Sequence, residues 1–266
     1  MRIVRFSPNS SANLGSDPLF GVLNDEDQIL VLRGDPLFGG IIPTESKVSL
    51  SDVRLLAPVI PRSKVVCVGK NYADHAAEMG SEVPKEPVIF LKPNTSVIGP
   101  NDIIQWPRMS ERVDFEGELA IVISRICKDV PVAKVSDVIF GYTIANDVTA
   151  RDLQKVDGQW SRAKGFDTFC PLGPWIETEF EVGAQKIITT LNGEVKQSEA
   201  LSSMTFKIPQ IIEFITSVMT LLPGDVILTG TPAGIGPMPA GAEVVVTIEG
   251  IGSLSNKVSS LSLIHI

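Results

Sequence analysis

Two glutamates stand two positions apart where an acidic segment turns into a continuous apolar run, at residues 113–123 (VDFEGELAIVI). The apolar half is rich in β-branched residues and predicts a buried β-strand. Because side chains at i and i+2 of a strand share a face, Glu116 and Glu118 are expected side by side, joined by Asp114 if the strand begins that early. Close carboxylates repel unless positive charge lies between them, which favours a divalent cation. The alternative is a solvated acidic strand face.

A third carboxylate follows another predicted strand. Residues 138–145 are apolar and run directly into Asn146 and Asp147, after which residues 148–154 have the pattern of a helix start. Three carboxylates without a histidine or cysteine set favour Mg²⁺ or Mn²⁺ over zinc. Asp147 is also of a type that caps helices and forms turns, so a structural role is the alternative.

The chain has two histidines, and His265 lies in a C-terminal tail that follows no clear element. A histidine base would therefore have to be His75. Asn71 is predicted to cap a short helix that ends before Gly80, and such a helix places His75 and Glu78 on one face. A glutamate beside a histidine orients the imidazole, as a general base acting on water requires. An incidental surface pair is the alternative.

A turn and three cations complete the candidate chemistry. Residues 229–234 (TGTPAG) follow a predicted strand and offer hydroxyls and backbone N–H groups that could hold a carboxylate or phosphate, although a plain turn explains them as well. Lys92, Arg151 and Lys164 stand in loops or at element ends near these groups. With a metal they could bind a dianionic substrate, whereas each by itself could be solvated surface.

The composition is that of an ordinary globular protein, with 266 residues, 44% hydrophobic and 20% charged. A net charge of −8 without a basic cluster argues against a nucleic-acid surface but not against an anionic substrate. The absence of a hydrophobic leader and of a membrane-length apolar run predicts a cytoplasmic protein that does not bind a membrane. The three cysteines fit no zinc or redox pattern.

Short strands must position these groups. Strands are predicted at residues 2–6, 20–23, 28–32, 64–68, 88–91, 173–176, 186–191, 226–228 and 244–248. Isoleucine spacing over residues 208–219 predicts an amphipathic helix, and the polar residues 81–87 are expected to form a loop that could move as a lid. Many short strands joined by Gly- and Pro-rich turns predict an α+β, mainly β fold, a sandwich or roll rather than a doubly wound sheet.

Six motifs in order resemble those of the fumarylacetoacetate hydrolase family. They are GKNYADHAAE, FLKP, DFEGELA, GYTIANDVTARD, KGFD and LPGDVILTGTPAG, and the resemblance covers roughly residues 60–257. It implies a mixed β-sandwich roll with a small N-terminal lobe at residues 1–58, a catalytic domain at 59–258 and a C-terminal tail at 259–266. The short lobe points to the small bacterial-type members, which are commonly homodimers.

The resemblance also implies roles for individual residues. The metal ligands for Mg²⁺ or Mn²⁺ would be Glu116, Glu118 and Asp147, the catalytic residues His75, Glu78 and Lys164, and a substrate contact Thr231. Lys92, Arg151 and Gly230 are predicted as further substrate contacts. No other cofactor and no macromolecular partner beyond a second copy is expected.

The predicted activity is metal-dependent C–C cleavage of a short 2-oxo or 2,4-dioxo dicarboxylic acid, as an oxaloacetate decarboxylase or an acylpyruvate or fumarylpyruvate hydrolase. The metal would stabilise an enolate, His75 would take a proton from water in hydrolysis, and Lys164 would hold or protonate the enolate. The alternative activities are 2-hydroxyhepta-2,4-diene-1,7-dioate isomerase and 5-oxopent-3-ene-1,2,5-tricarboxylate decarboxylase. A non-catalytic relative that binds a metabolite is the alternative of another class.

Overall fold

Short strands dominate the computed structural model, which describes residues 1–9, 14–15 and 18–259. The strands are β1 (Arg2–Pro8), β2 (Leu19–Leu23), β3 (Gln28–Leu32), β4 (Pro43–Ser49), β5 (Val53–Leu55), β6 (Val65–Gly69), β7 (Val88–Lys92), β8 (Val97–Ile98), β9 (Ile103–Ile104), β10 (Val113–Phe115), β11 (Gly117–Ile123), β12 (Ile139–Asn146), β13 (Thr149–Ala150), β14 (Cys170–Glu177), β15 (Lys186–Leu191), β16 (Glu194–Ala200), β17 (Val226–Leu228), β18 (Gly236–Pro237), β19 (Glu243–Ile248) and β20 (Gly252–Val258). The α-helices are α1 (Pro36–Gly39), α2 (Ala73–Glu78), α3 (Arg151–Asp157), α4 (Ser161–Lys164) and α5 (Ile208–Val218). Among the described helices, none has the length and apolar character needed to cross a membrane. The predicted tail that holds His265 lies outside the described residues, apart from Ser259.

The strands of the described residues form three sheets. The main sheet has the order β4-β3-β2-β1-β14-β12-β11-β17-β6-β7, with β5 beside β1 and β8 beside β14. A second sheet has the order β16-β15-β19-β20-β9, and a small third one the order β13-β10-β18. Because β1 pairs with β14, the strands of the predicted N-terminal lobe extend the main sheet.

Strand β11 lies between two hydrophobic cores. Leu119, Ile121 and Ile123 belong to one core with residues of α5 and the second sheet, whereas Ala120 and Val122 belong to another core with residues of β1, β6, β14 and β17. A strand buried on both faces requires a continuous apolar sequence, as residues 119–123 have. Strands from both sides of β11 in the main sheet therefore supply the second core. The architecture confirms the predicted α+β, mainly β class.

The predicted helix at residues 208–219 is confirmed as α5. Its buried isoleucines recur at helical spacing, and a proline stands in its first turn, where no intrahelical N–H is needed. Most predicted strands are also present, with boundaries that differ by a few residues. The largest difference is in β14, which begins at Cys170 rather than at Gly173.

One local prediction is wrong, and one conditional expectation is not met. Asn71 does not cap α2, because Tyr72 occupies the N-cap and makes no side-chain cap. The Asn71 amide instead donates to the backbone oxygens of Phe206, at 3.1 Å, and Thr229, at 2.8 Å, so it joins distant loops. The strand through residues 113–123 is not continuous either. It is interrupted at Glu116, where the chain leaves β10 of the third sheet and enters β11 of the main sheet.

Candidate active site

Three buried carboxylates converge where β10, β11 and β12 meet. Glu116 lies between β10 and β11, Glu118 is on β11, and Asp147 directly follows β12. Each residue offers one carboxylate oxygen, and these three oxygen atoms all lie within 4.8 Å of one another. The register of β11 against β12 causes this convergence, because it sets Gly117 opposite Asn146 and so brings the end of β12 to the two glutamates. The structure therefore assembles the predicted acidic triad.

Hydrogen bonds from the backbone to two side chains stabilise the break between β10 and β11 at Glu116. The Glu116 N–H donates to Asn146 Oδ1 at 2.9 Å, and the Gly117 N–H donates to Gln197 Oε1 at 3.1 Å. A Cβ atom on Gly117 would lie 2.3 Å from Thr189 Oγ1, so only glycine fits at this position. The direction of the Glu116 side chain is thus fixed by contacts outside its own strand.

Three buried cations neutralise the triad. Lys164 Nζ donates to Glu116 Oε2 at 2.7 Å and to Asp147 Oδ2 at 2.6 Å. Lys92 Nζ donates to Asp147 Oδ1 at 2.6 Å, and Arg151 pairs with Glu116. Burial opposes ionisation of Glu116, but Lys164 and Arg151 hold its pKa below the ordinary range. Burial likewise disfavours the Lys164 ammonium, yet Asp147 and Glu116 raise its pKa to about 12.

Glu118 differs from the other two carboxylates in its interactions. Among the described residues it forms no ion pair, and its Oε2 accepts the N–H of Gly230 at 2.6 Å. Burial and the neighbouring Asp147 and Glu116 carboxylates raise the pKa of Glu118 well above its usual value. A divalent cation would supply the positive charge that this carboxylate lacks.

The donor set fits a hard divalent cation. Three carboxylate oxygens in a buried cluster without cysteine or histidine suit Mg²⁺ or Mn²⁺. With Glu118 ionised, as a ligand to a cation would be, the three negative charges of the triad are matched by those of Lys92, Lys164 and Arg151, and the adjacent Asp114 is matched by Arg112. A bound divalent cation would leave two positive charges, which a dianionic ligand would offset.

His75 and Glu78 lie in contact at the end of α2. The Nδ1 atom of His75 is 3.3 Å from Glu78 Oε2, and the Glu78 carboxylate accepts the N–H of Gly234 at 3.2 Å. The turn at residues 229–234 therefore anchors the glutamate that orients the imidazole. Because Nδ1 faces Glu78, Nε2 is the ring nitrogen available to the cavity that His75 lines.

Thr231 is held by a residue that sequence reasoning missed. The Thr231 hydroxyl donates to the Gly117 oxygen at 2.8 Å and accepts from Gln197 Nε2 at 2.8 Å. Gln197 is buried and donates also to the Pro232 oxygen at 2.8 Å. It stands in the polar sequence EVKQSEA, which reads as an exposed strand. No local signal marks this glutamine, because its burial comes from packing of the second sheet on the main one.

A cavity of about 50 Å³ opens onto the triad. Of the predicted site residues, its walls include His75, Glu116, Glu118, Asp147, Arg151, Lys164 and Thr231. Gln154 was not predicted, and it accepts from Arg151 Nη1 at 2.7 Å; the two stand three apart on α3, which is a helix-face spacing. Phe90 and Trp160 add an aromatic wall, with ring centroids 5.1 Å apart in an edge-to-face contact.

Two predicted substrate contacts do not line this cavity. Lys92 lies behind Asp147, and its ammonium is occupied by that carboxylate and by the Val148 oxygen at 3.2 Å. Gly230 gives its N–H to Glu118. Both residues therefore support carboxylates of the triad, and the sequence alone could not show on which side of a carboxylate each of them lies.

Asp114 does not join the triad. It lies on β10 and accepts hydrogen bonds from Arg112 Nε, at 2.8 Å, and from Arg151 Nε, at 2.9 Å. The strand pattern placed Asp114 beside the two glutamates only if their strand began that early, and this condition is not met because the chain changes sheets at Glu116.

Comparison with known families gives two matches along the chain. Residues 64–259 match the family described as fumarylacetoacetate (FAA) hydrolase C-terminal, and residues 1–58 match the one described as Rv2993c-like, N-terminal. Protein Rv2993c of Mycobacterium tuberculosis is 61% identical over 212 residues, which cover 79% of this chain and 80% of the relative. Oxaloacetate tautomerase YisK of Bacillus subtilis is 42% identical over 224 residues, covering 79% and 74%.

Solved structures show the same fold. The 2-hydroxyhepta-2,4-diene-1,7-dioate isomerase from Mycobacterium marinum is 48% identical, with a TM-score of 0.89 over 99% of this chain and 100% of that one. Fumarylpyruvate hydrolase from Pseudomonas aeruginosa, in complex with Mn²⁺ and pyruvate, is 29% identical, with a TM-score of 0.71 over 78% of this chain and 92% of that one.

Proposed function

Because the chain belongs to the fumarylacetoacetate hydrolase family, as its six motifs predicted, we propose that it is a divalent-metal-dependent enzyme that forms the enolate of a short 2-oxo dicarboxylic acid. The observation that carries this proposal is the charge of the site. Once a metal holds Glu118 in its ionised form, the three carboxylates are balanced by three buried cations, so the divalent cation leaves an excess of two positive charges. Dianionic 2-oxo dicarboxylates such as oxaloacetate have the complementary charge.

The residues that line the cavity can support enolate formation. A Mg²⁺ or Mn²⁺ ion held by Glu116, Glu118 and Asp147 would supply Lewis-acid stabilisation of the negative charge that develops on the keto oxygen. Lys164 presents a charged ammonium to the same cavity and would stabilise that charge further. Arg151 also lines the cavity and would bind a substrate carboxylate.

His75 is the candidate base. With Nδ1 oriented by Glu78, its Nε2 would take the proton from the carbon next to the keto group of the substrate. The enolate oxygen then gains a proton to give the enol. The net change is the transfer of a proton from carbon to oxygen, and no bond between heavy atoms breaks. The candidate proton donor is the ammonium of Lys164, which lines the cavity and contacts both Glu116 and Asp147.

We rank proton transfer as the first candidate reaction and C–C cleavage as the second, whereas the sequence alone favoured C–C cleavage. Four relatives that are more than 40% identical are named tautomerases or isomerases. Three relatives that are named hydrolases are 39%, 37% and 29% identical. Decarboxylation or acylpyruvate hydrolysis is the second candidate, and the contact between His75 and Glu78 favours it because an oriented imidazole can also activate water.

The test follows enol and pyruvate in parallel. Enol oxaloacetate is added to the purified protein with Mg²⁺ or with EDTA, its ultraviolet absorbance is recorded, and pyruvate is measured enzymatically in the same samples. A protein-free control with metal is required, since free Mg²⁺ and Mn²⁺ decarboxylate oxaloacetate slowly. Fumarylpyruvate is assayed alongside for C–C cleavage.

Three outcomes separate the candidates. Metal-dependent loss of enol without pyruvate supports the proposed tautomerisation. Rapid formation of pyruvate, or cleavage of fumarylpyruvate, selects the second candidate. If EDTA leaves the rate unchanged, or if no 2-oxo acid reacts, the proposed function is wrong.

We also retain the division of the chain at residue 58 and the homodimer as proposals. Light scattering after size exclusion would give the mass of the assembly, which is twice the 28.6 kDa of one chain for a dimer. Expression of residues 59–266 alone would show whether the catalytic part folds without the strands that β1 adds to the main sheet.

A further inference from the structure

A second cavity, of about 150 Å³, lies beside the catalytic one. We call it the outer cavity; its walls are formed by Glu78, Met79, Arg112, Asp114, Arg151, Lys155 and Ile235. Met79 and Arg151 also line the catalytic cavity, so these two side chains stand between the two spaces. A ligand that outgrows the catalytic cavity on this side must enter the outer one.

Among the described residues that line the outer cavity, one lysine has no carboxylate partner. Arg112 and Arg151 both donate to Asp114, and the carboxylate of Glu78 is occupied by an imidazole and a backbone N–H. Lys155 adds a third cation. In the part of the chain that the structure describes, its side chain forms no hydrogen bond or ion pair. Both arginines are thus engaged by carboxylates, and Lys155 is the cation of this cavity that can pair with a ligand.

Residues of helix α3 line both cavities. Arg151 and Lys155 stand four residues apart on this helix and therefore share a face. Arg151 is buried at the boundary between the cavities, and Lys155 is exposed one turn further out. Met79 and Ile235 supply apolar walls, which suit the carbon atoms that would join two charged ends of a ligand.

We propose that the outer cavity binds the distal carboxylate of chain-extended 2-oxo dicarboxylates, with Lys155 as the specificity-determining cation. The 2-oxo acid end would occupy the catalytic cavity, so this inference rests on the proposed function. At about 50 Å³ the catalytic cavity is small beside typical ligand pockets of roughly 300–1,000 Å³. A chain longer than that of oxaloacetate must extend past Met79 and Arg151, where Lys155 is the next cation.

The experiment uses two substrates that differ only at the distal end, 2-oxoadipate and 2-oxohexanoate. Enolisation of either is measured in D₂O as the loss of the C3 proton signal by NMR, with the full-length protein and Mg²⁺. The variants are Lys155→Gln and, as a matched control, Lys134→Gln. Lys134 is an exposed lysine outside both cavities whose partner is Asp137, three residues away.

The wild-type protein is expected to have a KM for 2-oxoadipate about tenfold below that for 2-oxohexanoate, as one charge-assisted contact provides. Lys155→Gln should reduce this ratio to about one, and Lys134→Gln should leave it at the wild-type value. A ratio near one in the wild type, or a wild-type ratio in Lys155→Gln, overturns the inference.

Failure of the inference can be told apart from failure of the proposed function. Proton exchange with oxaloacetate but no preference for 2-oxoadipate rejects the outer cavity and keeps the enolising enzyme. If no 2-oxo acid exchanges, calorimetric binding of the same two acids to the Mg²⁺-loaded protein tests the outer cavity directly. Equal dissociation constants for the two acids would then reject it as well.

Discussion

Glutamine replacements at Glu118 and Glu116 should have different effects on the stability of the metal-free protein. Glu118 has no ion pair among the described residues, and burial beside two carboxylates raises its pKa, so the protonated form is favoured. A neutral amide of the same shape should therefore change the free energy of unfolding by about 1 kcal/mol or less. Glu116 instead accepts from Lys164 and Arg151, and removing its charge leaves buried cations undercompensated. That change should cost about 3–5 kcal/mol.

The assay is thermal unfolding after dialysis against EDTA, followed by unfolding with added Mg²⁺ or Mn²⁺. For a domain of this size a loss of 1 kcal/mol lowers Tm by about 2–4 °C, so Glu116→Gln should lower it by about 6–20 °C. Glu118→Gln should unfold within about 4 °C of the wild type. Metal at one hundred times its Kd should stabilise the wild type by about 2.7 kcal/mol, and both variants should lose most of this gain.

Two results would refute this reasoning. If Glu118→Gln in EDTA is as unstable as Glu116→Gln, then Glu118 is ionised and compensated in the metal-free protein, and the charge assignment is wrong. If Glu118→Gln keeps the full stabilisation by metal, then Glu118 is not a ligand, and the cation must bind elsewhere.

Three further substitutions test the site. Lys164→Met should lower kcat for enolisation of oxaloacetate by about 10²–10³-fold, because a charged group at the developing oxyanion is lost; an unchanged kcat would remove Lys164 from the chemistry. His75→Asn should abolish fumarylpyruvate hydrolysis but only reduce oxaloacetate decarboxylation, and equal loss of both rates would contradict separate roles. Gly230→Ala should lower Tm more than Gly241→Ala: both glycines have positive φ, but a Cβ on Gly230 would lie 2.7 Å from Asn71 Cβ, whereas nothing lies within 4 Å at Gly241. Equal shifts in Tm would show that this clash is relieved.

Local sequence patterns are sufficient to predict the helices and strands that surround the site and the types of group that it contains. The apolar run at residues 119–123 has the composition of a strand buried on both faces, and the isoleucine spacing of residues 208–219 admits a helix with one buried face. Both patterns are local, because side-chain direction repeats every two residues in a strand and every 3.6 in a helix. The order of six motifs identified the family, and with it the acidic triad, since the residue types and their order along the chain are properties of the sequence.

The tertiary structure decided where these groups face and what supports them. The change of sheet at Glu116 separates Asp114 from the triad, and the buried Gln197 fixes both Gly117 and Thr231 from a strand that reads as surface. These contacts join residues as much as 80 positions apart, as between Gly117 and Gln197, so no local period encodes them. The balance of buried charge and the cavity beside α3 arise in the same way, because each depends on several segments packed around one point.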